Sequence, residues 1–208
     1  MSKLFTPGPV MMEQHILAIG AKQLPYNRTH EISQLTYDIL EDLSYLFQTS
    51  GSIVILTASG TAAMEASVLN FLDGSDTVLV INGGTFGQRW VTLCEVHEIA
   101  FEQLTLDAGH DIDYERLTKL LSSHKFTAIL INAHETSTGQ LYDIEAIGKI
   151  AHEFGVFTIV DAISTLCADK FLMDEWGIDV SIASSQKALS LPPGLSFVAM
   201  ITSILNTG

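Results

Sequence analysis

The chain has 208 residues, of which 47% are hydrophobic and only 16% charged. That composition supports a sizeable buried core and excludes disorder, collagen-like repeats and coiled coil as descriptions of the whole. Lys plus Arg is 10 against 24 Asp plus Glu, a formal net charge of −14, so a broad basic surface for nucleic acid or anionic membrane is absent.

Residues 1–25 carry Pro7, Pro9 and Pro25 and read as an extended N-terminal arm. No apolar h-region opens the chain and no run approaches ~18 apolar residues, so neither a secretory signal nor a membrane span is expected. Two widely separated cysteines, Cys94 and Cys167, fit a reducing compartment, and the expected location is the cytoplasm. His30 to Phe47 reads as a helix, with Ile32, Leu35, Ile39, Leu43 and Leu46 at helical spacing. From there strands and helices alternate. Strand candidates are residues 53–59, 77–82, 99–106, 126–133, 156–162, 180–185 and 195–201, most of them β-branched and nearly continuously apolar. Helical patterns lie at 61–71, 86–97, 113–122 and 144–154. This order predicts βαβ units, hence an α/β fold. It is a three-layer αβα sandwich around a mainly parallel seven-stranded sheet whose strands are buried on both faces.

Ligands of such sheets bind beyond the C-terminal strand ends, and polar or small residues follow most strands here. Ser59-Gly60-Thr61 joins a strand to a helix, where free N–H groups suit an anion, although a plain capped helix uses the same residues. Asp161 ends an apolar strand and needs a partner, either a nearby donor of the protein or a cationic ligand nitrogen. Lys187 follows another strand, in SSQKALSLPPG, and is either a surface lysine or an amine nucleophile with a lowered pKa. Phe86, between glycines, is core packing or a plate for a planar ligand. Cys94 and His97 stand three apart on a helix, but two ligands make no metal site. An anion cradle, an aromatic plate, a buried carboxylate and a reactive lysine together match the needs of pyridoxal phosphate.

The strings TPGPV (6–10), ASGTAAMEA (58–66), FGQR (86–89), ETSTG (135–139), VDAIST (160–165) and SSQKALSLPPG (184–194) resemble the class V aminotransferases of fold type I. The branch is that of alanine–glyoxylate, serine–pyruvate and 2-aminoethylphosphonate–pyruvate aminotransferases. The resemblance implies pyridoxal 5'-phosphate as cofactor, with Ser59, Gly60 and Thr61 on its phosphate and Gln186 assisting. It puts Phe86 and Ile163 on opposite faces of the ring, Thr136 near the phenolic oxygen and Asp161 on the pyridine nitrogen. Lys187 then forms the Schiff base and shuttles the proton. Gln186 before the lysine and Phe86 at the stacking position argue against the cysteine desulfurase branch.

The implied activity is transfer of an amino group from a small amino acid or aminophosphonate to a 2-oxo acid such as pyruvate or glyoxylate. The implied assembly is a homodimer, without nucleic acid, membrane or metal. A lyase or decarboxylase on the same scaffold, or an inactive fragment, are the alternatives. Relatives are considerably longer. Residues 26–208 are therefore expected to be the cofactor-binding large domain of a truncated chain, with the C-terminal small domain absent.

Overall fold

A computed structural model describes residues 3–123 and 125–202. Six helices are present among them: α1 Gln14–Gly20, α2 His30–Phe47, α3 Gly60–Phe71, α4 Gly87–Val96, α5 Tyr114–Leu121 and α6 Ile144–Glu153. The strands are β1 Ser52–Leu56, β2 Thr77–Asn82, β3 Ala100–Thr105, β4 Ala128–Asn132, β5 His134–Glu135, β6 Gln140–Leu141, β7 Phe157–Asp161, β8 Val180–Ser184 and β9 Ser196–Met200.

Seven strands form one sheet in the order β1-β9-β8-β7-β4-β2-β3. Pairings β3–β2–β4–β7–β8 are parallel, and β9 runs antiparallel to both β8 and β1. The sheet is thus mainly parallel, and every strand in it except β9 points its C-terminal end at one edge. Helices cover both faces, as the alternating side chains of β2 show. Leu79 and Ile81 pack with Leu43 and Phe47 of α2, Leu117 and Leu121 of α5 and Ile147 of α6. Val78 and Val80 pack on the other face with Met64 and Val68 of α3 and Trp90 and Cys94 of α4. Period-two alternation between two apolar layers explains why the central strands read as unbroken apolar runs.

Short polar side chains set where the helices begin. Thr29, Ser59, Asp113 and Asp143 each accept a hydrogen bond from the backbone N–H three residues on, at Ile32, Ala62, Arg116 and Ala146. The helices match the sequence pattern within one or two residues.

Five features depart from it. Residues 14–20 of the arm form α1, a helix without a buried residue. The first strand stops at Leu56 rather than Ser59, because Ser59 turns to cap α3. Strands β1 and β3 lie at the sheet edges and are largely exposed, unlike the fully covered centre. On α2 only Leu43 and Phe47 are buried, while Leu35 and Ile39 face solvent. The ribbon β5–β6 was not read from the sequence either: two-residue strands carry no detectable period.

Candidate functional site

A cavity of about 260 Å³ opens at the C-terminal edge of the sheet. Ser59, Gly60 and Thr61 line it from the start of α3, Phe86 from the turn before α4, and Thr136 from the β5–β6 ribbon. Asp161 and Ile163 enter from the end of β7, and Gln186 and Lys187 from the segment after β8. All the site candidates of the sequence therefore meet in one place. The parallel sheet brings them there, because each follows a strand end on the same edge.

The anion side of the cavity is a helix N-terminus. Ser59 caps α3, and the first N–H groups of the helix, at Gly60 and Thr61, have no intrahelical carbonyl to bond. Gly60 is closely covered: a Cβ there would lie 2.4 Å from Ile163 Cδ1, so the Ile163 side chain would have to turn away. The missing side chain lets Ile163 reach over the helix start.

Asp161 is fully enclosed at the floor. Its two oxygens accept from Asn132 Nδ2 at 2.7 Å and from the Ile163 backbone N–H at 2.8 Å. The register of β4 against β7 sets Asn132 directly opposite Asp161. Burial pushes the Asp161 carboxyl up to about 6, against the pull of the Ile163 N–H and the Arg89 charge. Burial likewise holds the Lys187 amine below the ordinary lysine range; the nearby Arg89 charge adds to this and Asp161 opposes it. Lys187 Nζ donates to the Pro7 carbonyl at 3.2 Å. Thr136 Oγ1 and Ser164 Oγ lie 2.7 Å apart.

Several residues here were given no role from the sequence. Arg89 lays its guanidinium 4.5 Å from the Phe86 ring centroid and donates to Thr61 Oγ1 at 2.9 Å. Glu135 is buried and accepts from the backbone N–H groups of Phe86 and Gly87, and from both the N–H and hydroxyl of Ser137. That carboxylate fixes the turn that carries Phe86 onto the start of α4. Gly8 and Pro9 bring the arm to the same cavity. Both Arg89 and Glu135 lay inside matched strings, FGQR and ETSTG, and Asn132 ends an apolar strand as Asp161 does. Those were the available signals.

Asn132 and His134 also line the cavity, and Asn132 Oδ1 and His134 Nδ1 are buried with no hydrogen-bond partner among the described residues. Unpaired polar atoms beside a buried acid, an amine and an aromatic face suit a polar, planar, anionic guest. The donor set thus fits pyridoxal phosphate: N–H groups for a dianion, a carboxylate for a ring nitrogen, an amine for an aldehyde. Cys94 is buried with its thiol pushed up to about 12 by that burial, and His97 pairs with Glu65 at 3.0 Å. Among the described residues no group of three or more His, Cys, Asp or Glu could hold a metal ion.

The aminotransferase class-V family profile matches residues 15–207. The chain is 35% identical over 201 residues to the small subunit of a soluble hydrogenase of Synechococcus, covering 95% of this chain and 52% of that protein. It is 31% identical over 197 residues to the alanine–glyoxylate aminotransferase of Felis catus, covering 94% and 48%. Among solved structures, an aspartate aminotransferase of subgroup IV from Thermus thermophilus superposes with a TM-score of 0.92 at 30% identity, over 98% of this chain and 58% of that one. The chain spans about half the length of the curated relatives it matches.

Proposed function

Because the chain belongs to the class-V aminotransferase family, we propose that its cavity binds pyridoxal 5'-phosphate. We further propose that it serves amino-group transfer from a small amino acid or aminophosphonate to a 2-oxo acid such as pyruvate or glyoxylate. The observation that carries this reading is the meeting, in one cavity, of a buried carboxylate, a half-buried amine, an aromatic face and an open helix N-terminus.

The bound cofactor would supply an aldehyde that condenses with amines and a ring that draws electrons from the carbon attached to them. The chain supplies the rest. Ser59, Gly60 and Thr61, with Gln186, hold the phosphate through backbone and hydroxyl donors. Phe86 and Ile163 would flank the ring, and Thr136 would offer its hydroxyl to the phenolic oxygen. Asp161 keeps the ring nitrogen protonated, an ion pair that relieves its own desolvation. Lys187 Nζ would be the amine that meets the aldehyde, and the same amine would serve as the base for the substrate Cα proton. Its lowered pKa enlarges the neutral fraction that such a base needs near pH 7. A homodimer is the assembly proposed for the whole protein, in line with the preference for closed twofold symmetry.

Incubation with pyridoxal phosphate, borohydride reduction and peptide mapping tests the core of this reading. The pyridoxyl group is expected on Lys187 and is expected to vanish in Lys187→Ala. A label on Lys3, Lys22, Lys119, Lys125, Lys149 or Lys170 instead would overturn the assignment. Spectral half-reactions with L-alanine, L-serine, L-aspartate and 2-aminoethylphosphonate then identify the donor. Release of carbon dioxide in place of a 2-oxo acid would turn the reading toward a decarboxylase.

A further inference from the structure

The arm crosses the sheet edge directly above Lys187. Two hydrogen bonds hold it there and a third shapes its turn. The Val10 backbone N–H donates to the Gln186 carbonyl at 3.2 Å. Thr6 Oγ1 donates to the Pro9 carbonyl at 3.0 Å and closes the turn 6–9 on itself. Lys187 Nζ donates to the Pro7 carbonyl at 3.2 Å. The fit at the centre of this turn is close: a Cβ at Gly8 would lie 2.6 Å from Lys187 Cδ and 2.9 Å from both Cε and Nζ. Elsewhere in the arm space is plentiful. At Gly20 a Cβ would meet nothing within 4 Å.

From this geometry we infer that the turn Thr6–Val10 is a roof of the site. Its Pro7 carbonyl is a positioning group for the Lys187 amine, and Gly8 is the one residue that lets the roof lie on the lysine stem. A lysine has a long flexible stem, and fixing its ammonium head removes rotamer freedom before any chemistry starts. A backbone carbonyl suits that task. It accepts one proton of the head, carries no charge of its own to trap the amine, and is itself held by the tether from Val10 to Gln186, the residue next to the lysine. The inference deepens the proposed function, since it rests on Lys187 being the reactive amine.

Two variants act on the roof in different ways. Gly8→Ala puts a methyl against the lysine and also strains a backbone at φ 153°, so it displaces the turn, and Thr6→Val removes the bond that closes the turn while adding almost no volume. Gly20→Ala is the control in the same arm. The first measurement uses no cofactor. Acetylation of Lys187 by acetic anhydride is followed by peptide mass mapping at a pH where lysines are deprotonated, so that access and positioning set the rate. Both roof variants are expected to raise the Lys187 rate at least threefold, with the rates at Lys119 and Lys149 and the unfolding midpoint unchanged; Gly20→Ala is expected to match wild type. Equal Lys187 rates in wild type and Thr6→Val would overturn the roof.

The second measurement compares pyridoxal phosphate with 4'-deoxypyridoxine 5'-phosphate, which lacks the aldehyde and cannot bond to an amine. The roof variants are expected to weaken the first ligand at least threefold and to leave the second alone. Equal weakening of both would show that the turn shapes the cavity at large and does not position the amine, which overturns the proposal. Failure of wild type to bind either ligand would overturn the cofactor reading, and the acetylation rates alone would then decide the roof.

Discussion

At the scale of single residues, Asp161 sets function against stability. Its carboxyl is raised from 3.8 to about 6 by burial. The folded chain therefore binds this proton more tightly than the unfolded chain does. Below pH ~4 both states are protonated and the group is neutral in its effect. As pH rises through 6 the folded state must accept a buried charge, and by pH 7 that costs roughly 3 kcal/mol. Asp161→Asn removes the charge, and Asn132 can turn its unpaired Oδ1 toward the new amide. The cofactor-free variant is expected to unfold several degrees above wild type at pH 7, with the gain shrinking as pH falls toward 4. Thermal unfolding by circular dichroism at both pH values checks this, and equal midpoints at pH 7 would refute it. The same variant is expected to lose at least tenfold in any Cα proton transfer, because the carboxylate acts most strongly where ring charge develops. Such opposition between stability and activity is common at functional sites.

At the scale of elements, two junctions carry unusual weight. Glu135 ties the β5–β6 ribbon to the start of α4: its buried carboxylate accepts from the N–H groups of Phe86 and Gly87, and twice more from Ser137 of the ribbon's own turn. Glu135→Gln keeps the shape but turns an NH₂ toward backbone donors, and is expected to destabilise by about 2–3 kcal/mol in urea unfolding. An unchanged midpoint would mean the carboxylate is not what holds the turn. Gly148 sits on the buried side of α6, where a Cβ would fall 2.0 Å from the Trp176 carbonyl. Gly148→Ala is expected to destabilise by roughly 1–3 kcal/mol despite the better helix propensity of alanine, since backbone cannot step aside as a flexible side chain would.

These junctions also mark what the sequence leaves unread. Strand and helix order was legible, because β2, β4, β7 and β8 are short, mostly apolar runs and helical apolar spacing lies between the strands. The meeting of Ser59, Phe86, Asp161 and Lys187 was legible because all follow strand ends. The partners that hold them were not. Glu135 bonds to residues some 50 positions away, and Lys187 to Pro7 across 180; no local pattern records such a pair. The exposure of part of α2 was not legible for a related reason: Leu35 and Ile39 have the spacing of core residues without a core beneath them.

At the scale of the whole molecule, that stripe has company. Tyr37 and Tyr45 of α2, Val54 of the edge strand β1, and Leu24 and Tyr26 of the arm are all exposed. Isolated apolar residues on a surface are ordinary, but a run of them along one helix and a neighbouring edge favours association. Light scattering across a concentration series is expected to show self-association. The double variant Leu35→Glu with Ile39→Glu is expected to be monomeric at the same concentrations. Identical behaviour of the two proteins would locate the contact elsewhere.

The antiparallel strand β9 has a consequence in time as well as in space. Among the described residues β1 pairs in the sheet with β9 alone, with Ser52 opposite Met200. During synthesis β1 leaves the ribosome long before its partner exists. It must wait, its ladder unpaired, while about 140 further residues are added at ~5–20 per second. For those seconds the strand that leads into Ser59–Thr61 is a bare edge, open to chaperones, proteases or another nascent chain. Arrested chains that stop short of residue 196 are therefore expected to be cut near residues 50–58 under brief protease exposure, and chains that have released β9 to be protected there.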